Sequence, residues 1–145
     1  MRFALVPLFL LLASSAYAQD VSFADAPDED AQDAIRQLHF YAFNIKAEWV
    51  TLVDGEPPYL FLMPIDQCGA SDCTISGYEH SDKGWHKIYQ VFGGDSIKVL
   101  TTKTEDHSDI EQYESHGTNS YIIKTSHWHG QEYDKPEENT VRPNM

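Results

Sequence analysis

The pattern of apolar and polar positions predicts one helix followed by a series of short strands. Apolar residues recur at helical spacing between residues 27 and 43 and form a single stripe. Asp25 suits the N-cap position and Pro27 the first turn, and the acidic residues that follow suit the positive end of a helix. A one-sided stripe must pack against another element. Its members are Ala31, Ala34, Ile35, Leu38 and Ala42.

From residue 48 onward, the chain alternates between short β-prone runs and turn signals. The run Tyr59–Met63 is continuously apolar, which is typical of a strand buried on both faces. Further strands are predicted at 48–53, 73–79, 85–92, 96–101, 110–113, 121–128 and 131–133, with a loop at 102–108. One helix ahead of many strands predicts an α+β fold, in which an N-terminal helix packs on an antiparallel sheet of about five to seven strands.

Residues 1–18 have the pattern of a secretory signal peptide. A short basic start precedes an apolar run at 3–12, and Ala16-Tyr17-Ala18 places small residues before a cleavage site at Gln19. The apolar run is too short for a stable membrane span. We therefore expect a periplasmic or secreted protein that has no membrane span after signal cleavage.

The mature chain divides into an arm, one domain and a tail. Residues 19–26 are acidic and contain alanine, which predicts a mobile arm. Residues 27–133 carry all the predicted elements, and no linker or internal repeat divides them, so we expect a single α+β domain. From residue 134 onward, prolines and a lack of apolar residues predict a disordered tail.

The charge balance narrows the classes of partner. The chain has 145 residues and contains 10 Lys and Arg against 23 Asp and Glu, a net charge of −13, which becomes −14 when Arg2 is removed with the signal peptide. Such a surface repels phosphate backbones, so no nucleic-acid binding is expected. The same charge accelerates the capture of basic proteins, which makes a basic protein the expected kind of partner.

A single pair of cysteines lies between two predicted strands. In an oxidising compartment, Cys68 and Cys73 are close enough in sequence to form a disulfide. The bridge serves either as a structural staple for a hairpin or as a clamp on a rigid recognition loop, and these two hypotheses are compatible. A redox-active pair is disfavoured, because active dithiols usually have two intervening residues. The candidate binding residues in the loop are Gly69, Ala70, Ser71 and Asp72.

The cysteine hairpin is part of a longer pattern of motifs. Cys68-Gly69-x-x-x-Cys73-Thr74 is followed by Trp85, by Ile97-Lys98-Val99-Leu100, by Tyr121 and by Trp128-His129-Gly130-x-x-Tyr133. This pattern, which covers about residues 59–133, resembles a group of uncharacterised small exported bacterial proteins. The resemblance implies a β-rich domain with an aromatic last hairpin and implies no activity. Asp72 stands where those proteins often have glycine.

The chain is also similar, to a lesser degree, to the Ivy family of periplasmic lysozyme inhibitors. Those proteins have a signal peptide, a similar length and a loop closed by two cysteines. Their loop carries a histidine between the cysteines and the loop at 69–72 has none, so the resemblance does not transfer the inhibitory residue. It implies that inhibition of a cell-wall hydrolase is one concrete form of a binding function.

No cofactor, metal or catalytic constellation is predicted. Among seven histidines, His127 and His129 are the nearest candidates for metal ligands, because alternate residues of a strand share a face, but no third ligand is fixed by spacing. The sequence has no nucleophile elbow, and bridged cysteines offer no thiol. The aromatic residues at strand positions are expected to pack in the core, with an exposed binding strip as the alternative: Tyr59, Phe61, Trp85, Tyr89, Phe92, Tyr121 and Trp128.

These observations predict an exported, non-enzymatic binding protein. An inhibitor of a basic cell-wall hydrolase such as lysozyme is its most concrete form, with loop 69–72 entering the partner's cleft and Asp72 meeting a cation. Two alternatives remain open. One is an envelope protein with a structural role, and the other is a histidine-based metal-binding protein.

Overall fold

Antiparallel strands make up most of the fold. The computed structural model describes residues 18–38, 44–68, 73–93, 96–116 and 120–143. One α-helix, α1, spans Glu29–Gln37, and a short 3-10 helix spans Ile65–Gln67. The strands in chain order are β1 (Gln19–Asp20), β2 (Ala24–Asp25), β3 (Ile45–Val50), β4 (Tyr59–Pro64), β5 (Ile75–Ser81), β6 (Gly84–Val91), β7 (Ser96–Thr104), β8 (His107–His116), β9 (Ser120–Ser126), β10 (Trp128–His129), β11 (Glu132–Tyr133) and β12 (Glu137–Pro143).

The strands form two five-stranded sheets and one small hairpin. The first sheet has the order β2-β3-β4-β5-β6, the second has the order β1-β7-β8-β9-β12, and β10 pairs with β11. All of these pairings are antiparallel, as the turn signals predict. The fold is therefore mostly β with one helix, and its strands divide between two sheets instead of forming the single sheet that was expected.

The two sheets enclose the main hydrophobic core. Phe61 and Ile75 from the first sheet pack in one cluster with Ile97 and Ile110 from the second, and each of the four is essentially inaccessible to solvent. Phe61 lies directly on Gly77, where an added Cβ would come within 2.7 Å of the aromatic ring. Each sheet has an apolar face that must be covered, and the two faces bury this apolar surface by packing against each other.

Strand β4 is the central strand of the first sheet, as its continuous apolar run predicts. It pairs with β3 on one side and with β5 on the other. Phe61 faces the main core, whereas Leu60 and Leu62 face the helix. The strand is buried on both faces, and this explains why its sequence does not alternate between apolar and polar residues.

Helix α1 packs on the outer face of the first sheet. Ala31 and Ala34 are buried against Leu60 and Leu62, and small side chains allow this close approach. Ile35 and Leu38 lie partly buried on the same side. The predicted apolar stripe is thus confirmed from Ala31 to Leu38, and the remainder of the predicted helix, residues 39–43, lies outside the described residues.

The helix begins later than the sequence predicts. Asp28, not Asp25, is the N-cap, and its carboxylate accepts a hydrogen bond from the backbone N–H of Ala31 at 2.8 Å. Asp25 instead belongs to β2 and forms an ion pair with Lys46 of β3. Asp25 therefore belongs to a strand and not to the helix cap. The two short strands also place α1 third in the chain, so it is not the N-terminal element.

Both regions that were expected to be mobile contain strands. Within residues 19–26, β1 pairs with β7 and β2 pairs with β3, so this segment passes from one sheet to the other. Beyond residue 134, β12 pairs with β9. Backbone pairing at a sheet edge needs no apolar side chain, and an edge strand tolerates a terminal proline such as Pro143. Composition alone therefore does not indicate these strand pairings.

The segment at 102–108 is a tight hairpin and not the predicted loop. Strand β7 extends to Thr104 and β8 begins at His107. Glu105 and Asp106 connect them with φ angles of 49° and 67°, and two successive left-handed residues make the turn that suits the twist of a hairpin. This turn brings His107 to the end of the molecule where the candidate site lies.

The first 17 residues, which include nearly all of the predicted signal peptide, lie outside the described residues. Within the described ranges, no helix has the length and apolar character needed to cross a lipid bilayer.

Candidate functional site

The cysteine loop that the sequence singled out is closed by a disulfide. Cys68 and Cys73 are joined, with their sulfur atoms 2.10 Å apart, which confirms the predicted pairing. The bridge connects the end of the 3-10 helix to the residues just before β5. The residues between the cysteines, 69–72, lie outside the described residues, so a contact through Asp72 stays a prediction.

The two histidines considered as metal ligands have different surroundings. His127 follows the end of β9, and its Nδ1 lies 2.9 Å from Oδ1 of Asp109. Its backbone N–H donates to Oδ1 of Asp134 at 2.8 Å. His129 is exposed in the β10–β11 hairpin. Among the residues that the structure describes, no group of three or more His, Cys, Asp or Glu side chains is placed to hold a metal ion.

Asp109 is a buried carboxylate with several hydrogen-bond donors. Oγ1 of Thr104 donates to its Oδ1 at 2.8 Å, and Thr102 and His127 also bond to it. Burial acts to raise the pKa of Asp109, but these three hydrogen bonds outweigh it and hold the pKa below the usual 3.8. The Asp109–His127 pair ties the base of the β10–β11 hairpin to the second sheet, which is a structural role.

A groove of about 800 Å³ lies at one end of the first sheet, beside the start of α1. It forms where β3 ends, β4 begins, β5 ends and β6 begins. None of the described residues that line it is Lys or Arg. We call it the acidic groove after its five carboxylate side chains, which are Asp28, Asp30, Asp33, Glu56 and Glu79.

Aromatic rings form the floor of the acidic groove. The ring centroids of Trp49 and Trp85 are 6.3 Å apart, and those of Trp85 and His80 are 4.7 Å apart. His80 and Trp85 are directly opposite each other in the β5–β6 pairing, so the hairpin itself sets this contact. The faces of such rings are electron-rich and attract cations, in the same direction as the carboxylates around them.

Two of the five carboxylates are engaged inside the protein. Asp28 caps the helix and also accepts a hydrogen bond from Nε1 of Trp49 at 2.8 Å. Asp33 accepts hydrogen bonds from Arg36 and Gln37, and these bonds lower its pKa.

The other three carboxylates have no such compensation. Asp30, Glu56 and Glu79 form no ion pair with any residue in the described ranges. By contrast, five of the basic residues are paired with acids elsewhere, namely Arg36, Lys46, Lys98, Lys103 and Lys124. Three carboxylates without an ion pair in the described ranges therefore line the groove.

The pKa of Tyr59, which lines the acidic groove, is raised mainly by burial and to a smaller extent by nearby carboxylates. Burial raises the pKa of Tyr59 to about 12, and the charges of Glu79 and Glu56 act in the same direction. Burial disfavours a charge of either sign, whereas the two carboxylates oppose a negative charge and favour a positive one. The carboxylate contribution therefore gives the groove a potential that favours positive charge.

The sequence did not single out this groove. It assigned Asp28 and Asp30 to the helix terminus and Trp85 to the core, and it gave Glu56 and Glu79 no role. These residues come from separate elements, which the packing of α1 on the sheet and the β4–β5 and β5–β6 pairings bring together. One local signal was available, because a tryptophan and a histidine flank the turn between β5 and β6.

The aromatic residues that were expected in the core divide into three groups. Phe92 is 69% exposed, and its loop leads out of the first sheet. Trp85 and Tyr121 are half-buried. The core prediction is confirmed for the rest, which are Tyr59, Phe61, Tyr89 and Trp128.

Comparison of the chain with protein-family models, with curated proteins and with solved structures finds no match. The geometry and charge of the acidic groove are therefore the basis for assigning a function.

Proposed function

We propose that this chain is an exported, non-enzymatic binding protein that captures a basic protein through the acidic groove. The observation that carries the proposal is the set of three unpaired carboxylates, Asp30, Glu56 and Glu79, beside the rings of Trp49 and Trp85. A Lys or Arg side chain of a partner would supply the positive charge that the described lining lacks.

The charge of the whole chain supports the same kind of partner. A net charge of −13 attracts basic proteins from a distance and raises the rate of encounter, an effect that salt screens. The groove then supplies the short-range contacts that hold the complex. The two contributions are separable, because distant charges act mainly on association and contacts act mainly on dissociation.

Export and the choice of partner are supported by the sequence and by the disulfide. The first 18 residues have the pattern of a signal peptide, and the Cys68–Cys73 bridge suits an oxidising compartment. Cell-wall hydrolases of the lysozyme type are basic proteins that act in that compartment. Inhibition of such a hydrolase is the most concrete form of the proposal.

The test is a titration of the mature chain with a basic lysozyme, by calorimetry at low and at high salt. We expect binding that weakens as salt rises. The double variant Glu56→Gln, Glu79→Gln should bind about tenfold more weakly, because each lost charge contact is worth roughly 0.7 kcal/mol. The matched control is Asp20→Asn, Glu132→Gln, which makes the same change in net charge outside the groove.

Three outcomes would contradict the proposal. If the control loses as much affinity as the groove variant, net charge alone explains the binding. If Asp72→Lys abolishes binding while the groove variant does not, the cysteine loop is the site. If a cell-wall oligosaccharide binds and the basic protein does not, the aromatic floor recognises sugar rings instead of cations.

A further inference from the structure

A second recess continues the acidic groove along the same end of the molecule. It encloses about 740 Å³ and lies between the β5–β6 turn, the β7–β8 turn and the β10–β11 turn. We call it the hairpin recess. It shares four lining residues with the acidic groove, so the two form one trough; these residues are Glu56, Tyr59, Glu79 and Trp85.

The hairpin recess differs in chemistry from the acidic groove. Its wall is a stacked pair of rings, His107 on Trp128, with centroids 3.8 Å apart and planes within 2° of parallel. Tyr59 holds this pair in place, because its hydroxyl lies 3.3 Å from Nε2 of His107. Asp82 and Lys83 at the rim carry opposite charges. With Glu56, Glu79 and Asp82 against one lysine, the recess is aromatic and less acidic than the acidic groove.

All three tryptophans of the chain line the trough. Trp49 lies in the acidic groove, Trp128 lies in the hairpin recess, and Trp85 lines both. Tryptophan is enriched among the residues that dominate the energy of protein interfaces. Trp49 and Trp85 are half-buried and offer ring surface to a partner, whereas Trp128 is 7% exposed and supports the recess from the core.

We infer that the trough binds an extended polypeptide segment of the basic partner. The basic side chains of the segment lie in the acidic groove, and an aromatic side chain a few residues along lies against the half-buried His107, which is stacked on Trp128. Each recess falls in the range of roughly 300–1,000 Å³ typical of ligand pockets, which exceeds one side chain. This inference rests on the proposed function and specifies the kind of segment that the site takes.

The charges at the rim also select the order of side chains in the segment. Lys83 makes the hairpin recess less favourable for a cation, whereas Asp28, Asp30 and Asp33 add negative charge to the acidic groove alone. A uniformly basic segment therefore fits less well than a segment that is basic at one end and aromatic at the other. This expectation differs from simple attraction to a chain of net charge −13.

The probes are blocked five-residue peptides with two arginines, two glycines and a variable last residue. Phenylalanine, serine or arginine occupies the last position, and each peptide is also made in the reverse order. Intrinsic fluorescence follows binding, because every tryptophan lies in the trough. In the better of the two orders, we expect the phenylalanine peptide to bind at least fivefold more tightly than the serine peptide and more tightly than the arginine peptide.

Two variants locate the effect within the trough. Glu79→Gln, in the part that both recesses share, should weaken all three peptides about threefold. Lys83→Glu should strengthen only the arginine-ended peptide, by about threefold. Lys87→Glu is the matched control, because this exposed residue of β6 does not line the trough, and it should change none of the three affinities.

The outcomes separate this inference from the proposed function. Equal binding of the phenylalanine and serine peptides would remove the hairpin recess from the site and leave the acidic groove in place. Binding of a basic lysozyme without binding of any peptide would overturn the extended segment alone. Failure of both the peptides and the basic protein would overturn the segment and the proposed function together.

Discussion

The carboxylate of Asp109 and the carboxylates of the acidic groove use the same chemical group in opposite ways. Asp109 is 4% exposed and accepts hydrogen bonds from Thr102, Thr104 and His127. Asp30, Glu56 and Glu79 line an open groove without an ion pair in the described ranges. A buried charge with its hydrogen bonds satisfied stabilises the folded state. Like charges gathered at a surface repel one another, and a bound cation relieves this repulsion.

The largest difference should appear in the free energy of unfolding when the charge of Asp109 or of Asp30 is removed. Asp109→Asn replaces an acceptor by an amide that turns a donor toward other donors, so we expect the free energy of unfolding to fall by about 3 kcal/mol. Asp30→Asn should leave it unchanged or slightly raised, because repulsion in the groove decreases. Urea unfolding measures both. A small loss for Asp109→Asn would mean that the buried cluster is not a source of stability.

The cysteine loop offers a second contrast with the groove, because it is constrained by a covalent bond. For the six-residue span of Cys68–Cys73, loss of loop-closure entropy in the unfolded chain is worth roughly 2 kcal/mol. Cys68→Ser, Cys73→Ser should lower the free energy of unfolding by about that amount. Binding of a basic lysozyme should persist, because the described groove does not include these residues. Loss of binding in a folded variant would assign recognition to the loop.

The features that the sequence predicted are those that depend on neighbours along the chain. The helix stripe at Ala31 and Ala34 follows from helical periodicity, and the burial of β4 follows from its unbroken apolar run. The Cys68–Cys73 bridge follows from short spacing in an oxidising compartment. Each of these features depends on local geometry, so a single stretch of sequence was sufficient to predict it.

The features that the sequence missed depend on pairing between distant segments. Strand β12 exists because β9 offers an edge, and no property of Glu137–Pro143 alone predicts it. The acidic groove exists because Glu56 and Glu79 are brought together around Tyr59 by the pairing of β4 with β5. In a chain with 23 acidic residues, these two could not be selected without the sheet register.

The pH dependence of stability should distinguish the buried carboxylate from the exposed ones. The pKa of Asp109 is lowered from 3.8 in the folded state, so the unfolded chain takes up its proton first as the pH falls. The stability that Asp109 provides is therefore fully present above about pH 4 and is lost as the pH falls through the folded pKa. Unfolding measured between pH 5 and pH 2 should decline more steeply, by up to about 1.4 kcal/mol per pH unit, in the wild type than in Asp109→Asn. Parallel curves for the two proteins would contradict this assignment.

The smallest expected effect is a change in the pKa of Tyr59, which depends in part on the electrostatic potential of the groove without a partner. Burial keeps the pKa of Tyr59 near 12, and Glu79 and Glu56 add to it, so Glu56→Gln, Glu79→Gln should lower it without restoring the ordinary value of 10. The phenolate absorbance of each protein minus that of its Tyr59→Phe counterpart isolates this residue, and near-ultraviolet circular dichroism checks that the chain stays folded. Asp20→Asn, Glu132→Gln should leave the pKa unchanged, because those charges lie outside the groove. If this control lowers the pKa equally, the potential at Tyr59 comes from the net charge of the chain, and the groove then has no electrostatic distinction from the rest of the surface.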